Sequence, residues 1–120
     1  MTRYSVAGVT IRIGRRSPGM DRLLRLYNHR EGAFLTAYNP FSRRMPAGWN
    51  RRMQTNLANV LSGRTILPAG GCWRGWAESH VVVFGSYRRT MVLARKYRQH
   101  GIVMVRLRQP ALLVYTSLVD

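Results

Sequence analysis

Apolar and polar residues alternate from Tyr4 to Ile13, with Val9, Ile11 and Ile13 set against Thr10 and Arg12, the period of a half-buried strand. Ser17-Pro18 then supplies an N-cap followed by proline at the first helical position. Met20, Leu23, Leu24 and Tyr27 form the apolar stripe of a short helix, with Arg22 and Arg25 off it and Gly32 just beyond its expected end. The apolar run Ala33 to Tyr38 reads as a second strand, stopped at Asn39-Pro40 because proline has no N–H and restricts the residue before it. A basic loop from Ser42 to Pro46 leads into a helix over about Gly48 to Ser62. Its stripe is Trp49, Met53, Leu57, Val60 and Leu61, and Gly63 suits a C-terminal cap.

Thr65 to Leu67 reads as a short strand, and Pro68-Ala69-Gly70-Gly71 with Gly75 as a mobile loop. Trp76 to Phe84 carries the strongest strand signal in the chain. Ser86 caps a third helix running to about Gln99, with Leu93, Ala94 and Tyr97 inward and Arg88, Arg89, Arg95, Lys96 and Arg98 left for solvent or a ligand. Ile102 to Leu107 and Ala111 to Tyr115 are two final strands, joined by a turn at Gln109-Pro110. The order β-α-β-α-β-β-α-β-β implies an α+β fold, with three helices on a mixed sheet of about five or six strands. Residues 1–120 make a single domain, since 13.8 kDa leaves little room for a second core.

Composition sharpens this picture. A hydrophobic fraction of 46% with 20% charged residues is that of a chain that folds. The longest apolar runs, Val81 to Phe84 and Ala111 to Tyr115, are far short of the roughly 20 residues a membrane helix needs, so no membrane partner is expected. Arg3, Arg12, Arg15 and Arg16 interrupt the N-terminal segment and leave no apolar secretory core, which points to the cytoplasm. Cys72 has no partner within the chain, so an internal disulfide framework and a cysteine-rich zinc knuckle are excluded.

Charge changes the picture most. Lys and Arg number 20 against 4 Asp and Glu, a formal net charge of +16. Self-repulsion on this scale opposes compaction, so a polyanion would both bind and stabilise the fold. Lys96 is the lone lysine; the other basic residues are arginines, which hold phosphate bidentately or stack on bases. A codon bias toward arginine explains Arg in place of Lys, but not the scarcity of acids.

Phe34-Leu35-Thr36-Ala37-Tyr38-Asn39-Pro40, then Asn50, then Trp76-Ala77-Glu78 and Gln99-His100-Gly101-Ile102-Val103 resemble an uncharacterised bacterial family, Domain of Unknown Function 3293. Its pattern runs T-A-W-N-P, a helix with an early Asn, W-x-E opening a strand, and a helix ending in Gln before an apolar strand. Tyr38 stands where the family usually has Trp, and His100-Gly101 where Asn-Ala is more usual. The resemblance spans roughly Tyr4 to Val105 and implies candidate site positions without implying a chemistry.

Those positions frame the candidate chemistry. Alternation places Trp76, Glu78 and His80 on one face of their strand, so a carboxylate and an imidazole are neighbours suited to acid/base work on a phosphodiester. The competing and preferred role for Glu78 is to satisfy donors such as those of Asn39 or an arginine. Asn39-Pro40 is expected to be a turn, the alternative being a pocket of Thr36, Asn39, Trp76 and Glu78. Asn50 is expected to steady the first turn of its helix.

Cys72, Glu78 and His80 lack metal-ligand spacing, His29 and His100 are isolated, and Asp21, Glu31, Glu78 and Asp120 are too few acids for a two-metal nuclease. The glycines form no nucleotide-binding motif. No metal and no cofactor are expected. Basic pairs recur at Arg15-Arg16, Arg43-Arg44, Arg51-Arg52 and Arg88-Arg89, and Trp49, Trp73 and Trp76 sit among arginines, a mixture suited to phosphate contact and stacking.

The expected function is therefore a small basic RNA- or DNA-binding protein, or a subunit of a nucleoprotein assembly, without catalysis. Its surface is expected at Arg43, Arg44, Arg51 and Arg52, with Arg88, Arg89 and Arg95 on the third helix as a second set. The alternatives are a metal-independent ribonuclease using Glu78 and His80, and a phage or mobile-element inhibitor of a nucleoprotein enzyme.

Overall fold

The computed structural model describes residues 2–73 and 75–118, Trp73 by its backbone alone. Its strands are β1 (Arg3–Val6), β2 (Val9–Ile11), β3 (Glu31–Leu35), β4 (Ile66–Trp73), β5 (Trp76–Phe84), β6 (Gly101–Arg106) and β7 (Leu112–Tyr115). Its helices are α1 (Pro18–Leu26), α2 (Ala47–Val60) and α3 (Tyr87–Lys96), with a 3₁₀ turn at Pro40–Ser42. The fold is α+β with three helices, and the strands form one seven-stranded sheet in the order β2-β1-β4-β5-β3-β6-β7. Every pairing between these strands is antiparallel.

The expected five or six strands and mixed sheet are thus corrected, for two local reasons. The run Tyr4 to Ile13 is not one strand but a hairpin, because Ala7 and Gly8 turn left-handed (φ 47° and 78°) between the paired Val6 and Val9. Positive φ at both central residues is the two-residue turn whose twist matches the strands it joins. The expected glycine loop after Leu67 is in fact the middle of β4, which continues to Trp73 and pairs along its length with β5. Gly70 and Gly71 are strand glycines between β1 and β5.

Smaller boundaries moved as well. Ser17 does cap α1, accepting from Met20 N at 3.1 Å, but the helix ends at Leu26 and Gly32 belongs to β3. The strand expected over Ala33 to Tyr38 stops at Leu35, where Thr36 takes up side-chain bonding. In α2, Leu57 and Leu61 are buried as expected, whereas Val60 faces solvent.

The sheet curls. Ile13, just past β2, bridges Ala111, just before β7, although these strands are the two ends of the sheet order. Gly14 N donates to Ala111 O at 2.7 Å and Ala111 N to Arg15 O at 3.1 Å, which closes edges that would otherwise offer unpaired backbone. On the concave face, Met20 and Leu24 of α1 pack with Val6, Phe34, Val82 and Val103. On the other face, Leu57 and Leu61, with Met91, Ala94 and Tyr97 of α3, pack on Ala33, Leu35, Val81, Val83 and Ile102. Each such fully buried large side chain is worth about 1.5–3 kcal/mol. The second cluster contains no residue of β1 or β2, and among the described residues no helix packs on the outer face of these two strands.

Gly71 sits where the concave face is tightest. A Cβ there would stand 2.7 Å from His80 Cε1 and 3.1 Å from Tyr4 Cδ1, whereas a Cβ at Gly70, on the outer face, would meet Ser5 Oγ at an ordinary 3.5 Å. Gly71→Ala is therefore expected to lower the unfolding free energy by about 1–3 kcal/mol, and Gly70→Ala to leave it within about 0.5 kcal/mol. Urea unfolding of the two variants checks this, and equal stabilities would contradict the register.

Candidate functional site

Asn39 is the centre of the motif residues. Its backbone is left-handed, at φ 47°, a conformation that Asn tolerates better than most side chains. From there its Nδ2 donates to Glu78 Oε2 at 2.6 Å, and its Oδ1 accepts from Met45 N at 2.7 Å and Asn50 Nδ2 at 2.9 Å. Asn39 N donates to Asn50 Oδ1 at 3.0 Å. Thr36 Oγ1 donates to Ser79 O at 2.6 Å and accepts from Tyr38 N at 3.0 Å. Gln99 Nε2 donates to Tyr38 O at 2.9 Å, and Gln54 Oε1 accepts from Ala37 N at 2.9 Å. The residues that follow β3 are thereby tied to the first turn of α2, to β5 and to the end of α3.

This geometry supplies the structural role considered for Glu78 and for Asn50. Of the pocket expected from Thr36, Asn39, Trp76 and Glu78, Thr36 and Asn39 are buried and hydrogen-bonded, and the Arg44 guanidinium lies 5.0 Å from the centre of the Trp76 ring. Glu78 alone of the four lines the nearby depression, together with Arg3, Ser5, Gly70 and Cys72. Gln54 escaped the sequence reading because a polar residue on a helix flank gives no signal until the backbone it serves is known.

His80 shares the face of Glu78 as alternation required, but its contacts differ from those of an acid/base pair. Its Nδ1 lies 3.2 Å from the backbone oxygen of Glu78, not from the carboxylate, and the ring packs edge-on against Tyr4. Burial pushes the imidazole down to about 4. Burial raises the Glu78 carboxyl, against the Asn39 hydrogen bond, which lowers it. At neutral pH the imidazole is thus uncharged.

The basic residues divide by position. Every described one is exposed except Arg64, which is half-buried. Arg51 and Arg52 lie at the start of α2, where Arg51 Nη2 and Arg52 Nη1 would each be 3.8 Å from a Cβ on Gly48. No side chain caps this helix and its first turn holds no acid. Arg43 and Arg44 lie between the 3₁₀ turn and α2. Arg88 and Arg89 are exposed in the first turns of α3, and Arg95 Nε donates to Thr116 O at 3.2 Å. The side chain of Trp73, expected as a stacking group, and Asp120 lie outside the described residues. Among the described residues no group of His, Cys, Asp and Glu could hold a metal ion, and no helix is long and apolar enough to cross a membrane.

A family model described as "Protein of unknown function (DUF3293)" matches residues 35–102, more than half of the chain. That span runs from the end of β3 to the start of β6 and contains Asn39, Asn50, Glu78 and Gln99. No curated protein and no solved structure matches the chain.

Two predictions follow from the network. Asn39→Ala loses the bonds to Glu78, Asn50 and Met45 and strains the left-handed turn. It should cost about 3 kcal/mol, of which Asn39→Gly, relieving the strain alone, recovers only a part. Equal stability of wild type and Asn39→Ala in urea would refute the role. The second concerns pH. Because the folded His80 binds a proton less readily than the unfolded chain does, the stability it contributes is present above pH 6.5 and lost as the pH falls toward about 4. The loss is about 3 kcal/mol. Glu78, displaced upward, acts in the opposite sense and offsets some of it. His80→Phe should therefore flatten the acid side of the stability curve, and an unchanged curve would exclude His80 as its source.

Proposed function

The chain belongs to the DUF3293 family, and from its own residues we propose that it is a small, non-enzymatic RNA- or DNA-binding protein, or the nucleic-acid-contacting subunit of a nucleoprotein assembly. The observation that carries this reading is a cationic excess the fold does not neutralise. Against 20 basic residues stand 4 acids. Of these, Asp21 accepts from Arg108 N, Glu78 from Asn39 Nδ2, and Glu31 divides between Tyr87 N and an ion pair with Arg106. Four carboxylates cannot balance 20 cations, whatever their partners. A polyanion that binds the folded state relieves their repulsion and stabilises the fold by mass action.

The proposed contact set is Arg43, Arg44, Arg51 and Arg52, where exposed guanidinium groups gather around an uncapped helix start. Arg88, Arg89 and Arg95 are the second set. Glu78 and His80 are read as structural, with no catalysis assigned to them.

Labelled RNA and DNA, titrated at several salt concentrations, test the proposal. Binding should be micromolar or tighter in low salt, and the association constant should fall by about 0.7 to 0.9 log units per log unit of salt for each phosphate neutralised. Changing Arg43, Arg44, Arg51 and Arg52 together to Gln should leave the fold intact, weaken binding and flatten the salt slope by a few units. A flat salt response in the wild type would sink the proposal. Cleavage of RNA in the presence of chelator, abolished by both Glu78→Gln and His80→Ala, would replace it with the ribonuclease.

A further inference from the structure

Among the described residues no helix packs on the outer face of β1, β2, residues 70–72 of β4 and residues 77–79 of β5, whereas further along β5 Val81 and Val83 lie under α2 and α3. Register sets Ser5 between Thr10 and Gly70, and Gly70 beside Ser79. The next row sets Arg3 opposite Cys72 and Cys72 opposite Ala77. These residues floor a depression of about 380 Å³. At Arg3 and Thr10 it meets a second depression, of about 280 Å³, lined also by Arg12, Arg15, Arg16 and Ser17.

Four arginines thus surround one hollow whose lining holds no carboxylate. Two unit charges 4 Å apart interact by about 1 kcal/mol in bulk water and about 4 kcal/mol at a protein surface, so an anion in the hollow relieves a standing repulsion. The arrangement is held in place. Arg15 N donates to Arg12 O, and two hydrogen bonds with Ala111 pin this turn across the closure of the sheet. Glu78 also lines the trough, while its side chain, on the opposite face of β5 from Ala77 and Ser79, accepts from Asn39.

The floor decides the kind of nucleic acid. The hydroxyls of Ser5, Thr10 and Ser79 share one row and make no hydrogen bond among the described residues. Tyr38 is the one aromatic residue among the described residues that line the two depressions. Single-strand binders rely on several rings for stacking, whereas duplex RNA is held by phosphate and 2′-hydroxyl contacts to its shape. We propose that the arginine-rimmed trough over β1, β2, β4 and β5 seats the backbone of double-stranded RNA. This goes beyond the contact set at the start of α2 by naming a second, separate surface, and it rests on the nucleic-acid reading above.

Cys72 gives the test, since it is the chain's single cysteine, half-buried in the trough floor. The rate of its alkylation by iodoacetamide is measured with and without a saturating mixed-sequence RNA duplex of about 20 base pairs, a length that exceeds the roughly 16 a compact duplex-binding domain spans. Affinities for that duplex, its DNA counterpart and one of its single strands are measured alongside by fluorescence anisotropy. The duplex RNA should slow alkylation at least about fivefold and bind at least about tenfold more tightly than either competitor, a difference worth about 1.4 kcal/mol. Replacing Arg3, Arg12, Arg15 and Arg16 with Gln should abolish the protection, and Ser79→Glu, a single exposed change, should weaken binding about tenfold by the same conversion. Duplex binding with Cys72 unprotected overturns the trough and leaves the nucleic-acid reading standing. Equal or tighter binding of DNA or single strand overturns the duplex-RNA assignment, and binding of none of the three overturns both readings.

Discussion

Each described carboxylate joins parts of the chain that are far apart in sequence, and the fold depends on those joints. Asp21 Oδ1 receives Arg108 N at 2.9 Å, holding α1 to the turn after β6. Glu31 Oε2 receives Tyr87 N at 2.8 Å at the start of α3, where a negative charge also meets the positive end of the helix dipole. Glu78 Oε2 receives Asn39 Nδ2 and holds the segment after β3 against β5. Glu31 also touches a guanidinium, Arg106 Nε at 3.5 Å, on a partly exposed pair. Such a pair contributes little by itself. The acids therefore act mainly as acceptors for backbone and amide donors, and the positive charge remains on the surface as a consequence of how the interior is satisfied.

Much of the architecture was legible because its signals were periodic. Trp76 to Phe84 is one strand from end to end, Ser17 and Ser86 cap the helices they precede, and Ala94 and Tyr97 face inward. What was not legible turned on backbone dihedrals that composition conceals. Ala7-Gly8 is an unusual pair for a two-residue hairpin turn, since Ala carries a steric cost at φ 47° that Asn or Asp would bear more easily. Gly70-Gly71 has the composition of a loop, yet Gly71 is required because Tyr4 and His80 crowd the place a side chain would occupy. A glycine selected by close packing and one selected by a turn are the same letter in the sequence.

The candidate site was legible in its members and not in its wiring. Thr36, Asn39, Asn50 and Glu78 could be named from the motif, but that Asn39 donates to Glu78 while accepting from Asn50 depends on a left-handed backbone that no periodicity encodes. The span matched by the family model is the part of the chain that builds this network. β1, β2 and the arginines at Arg12, Arg15 and Arg16 lie outside it. The molecule thus separates into a segment that fixes three elements together and an N-terminal hairpin that carries charge to the uncovered half of the sheet.

That hairpin explains why the arginines share a side. Val6 pairs with Val9 across a two-residue turn, which places Ser5 opposite Thr10 and carries Arg3 and Arg12 to the same face. The same register sends Tyr4, Val6 and Ile11 inward to α1 and Phe34. Side chains alternate strictly along a strand, so one residue more in the turn would exchange the faces of β2, burying Thr10 and Arg12 and exposing Ile11. Such a slip would bury a charged guanidinium against apolar side chains, a cost of several kcal/mol, and would also forfeit the burial of Ile11, about 1.5–3 kcal/mol. The burial of Val6 and Ile11 and the outward set of Arg3 and Arg12 are therefore one constraint: the concave core that holds α1 also aligns the positive charge on the face left uncovered.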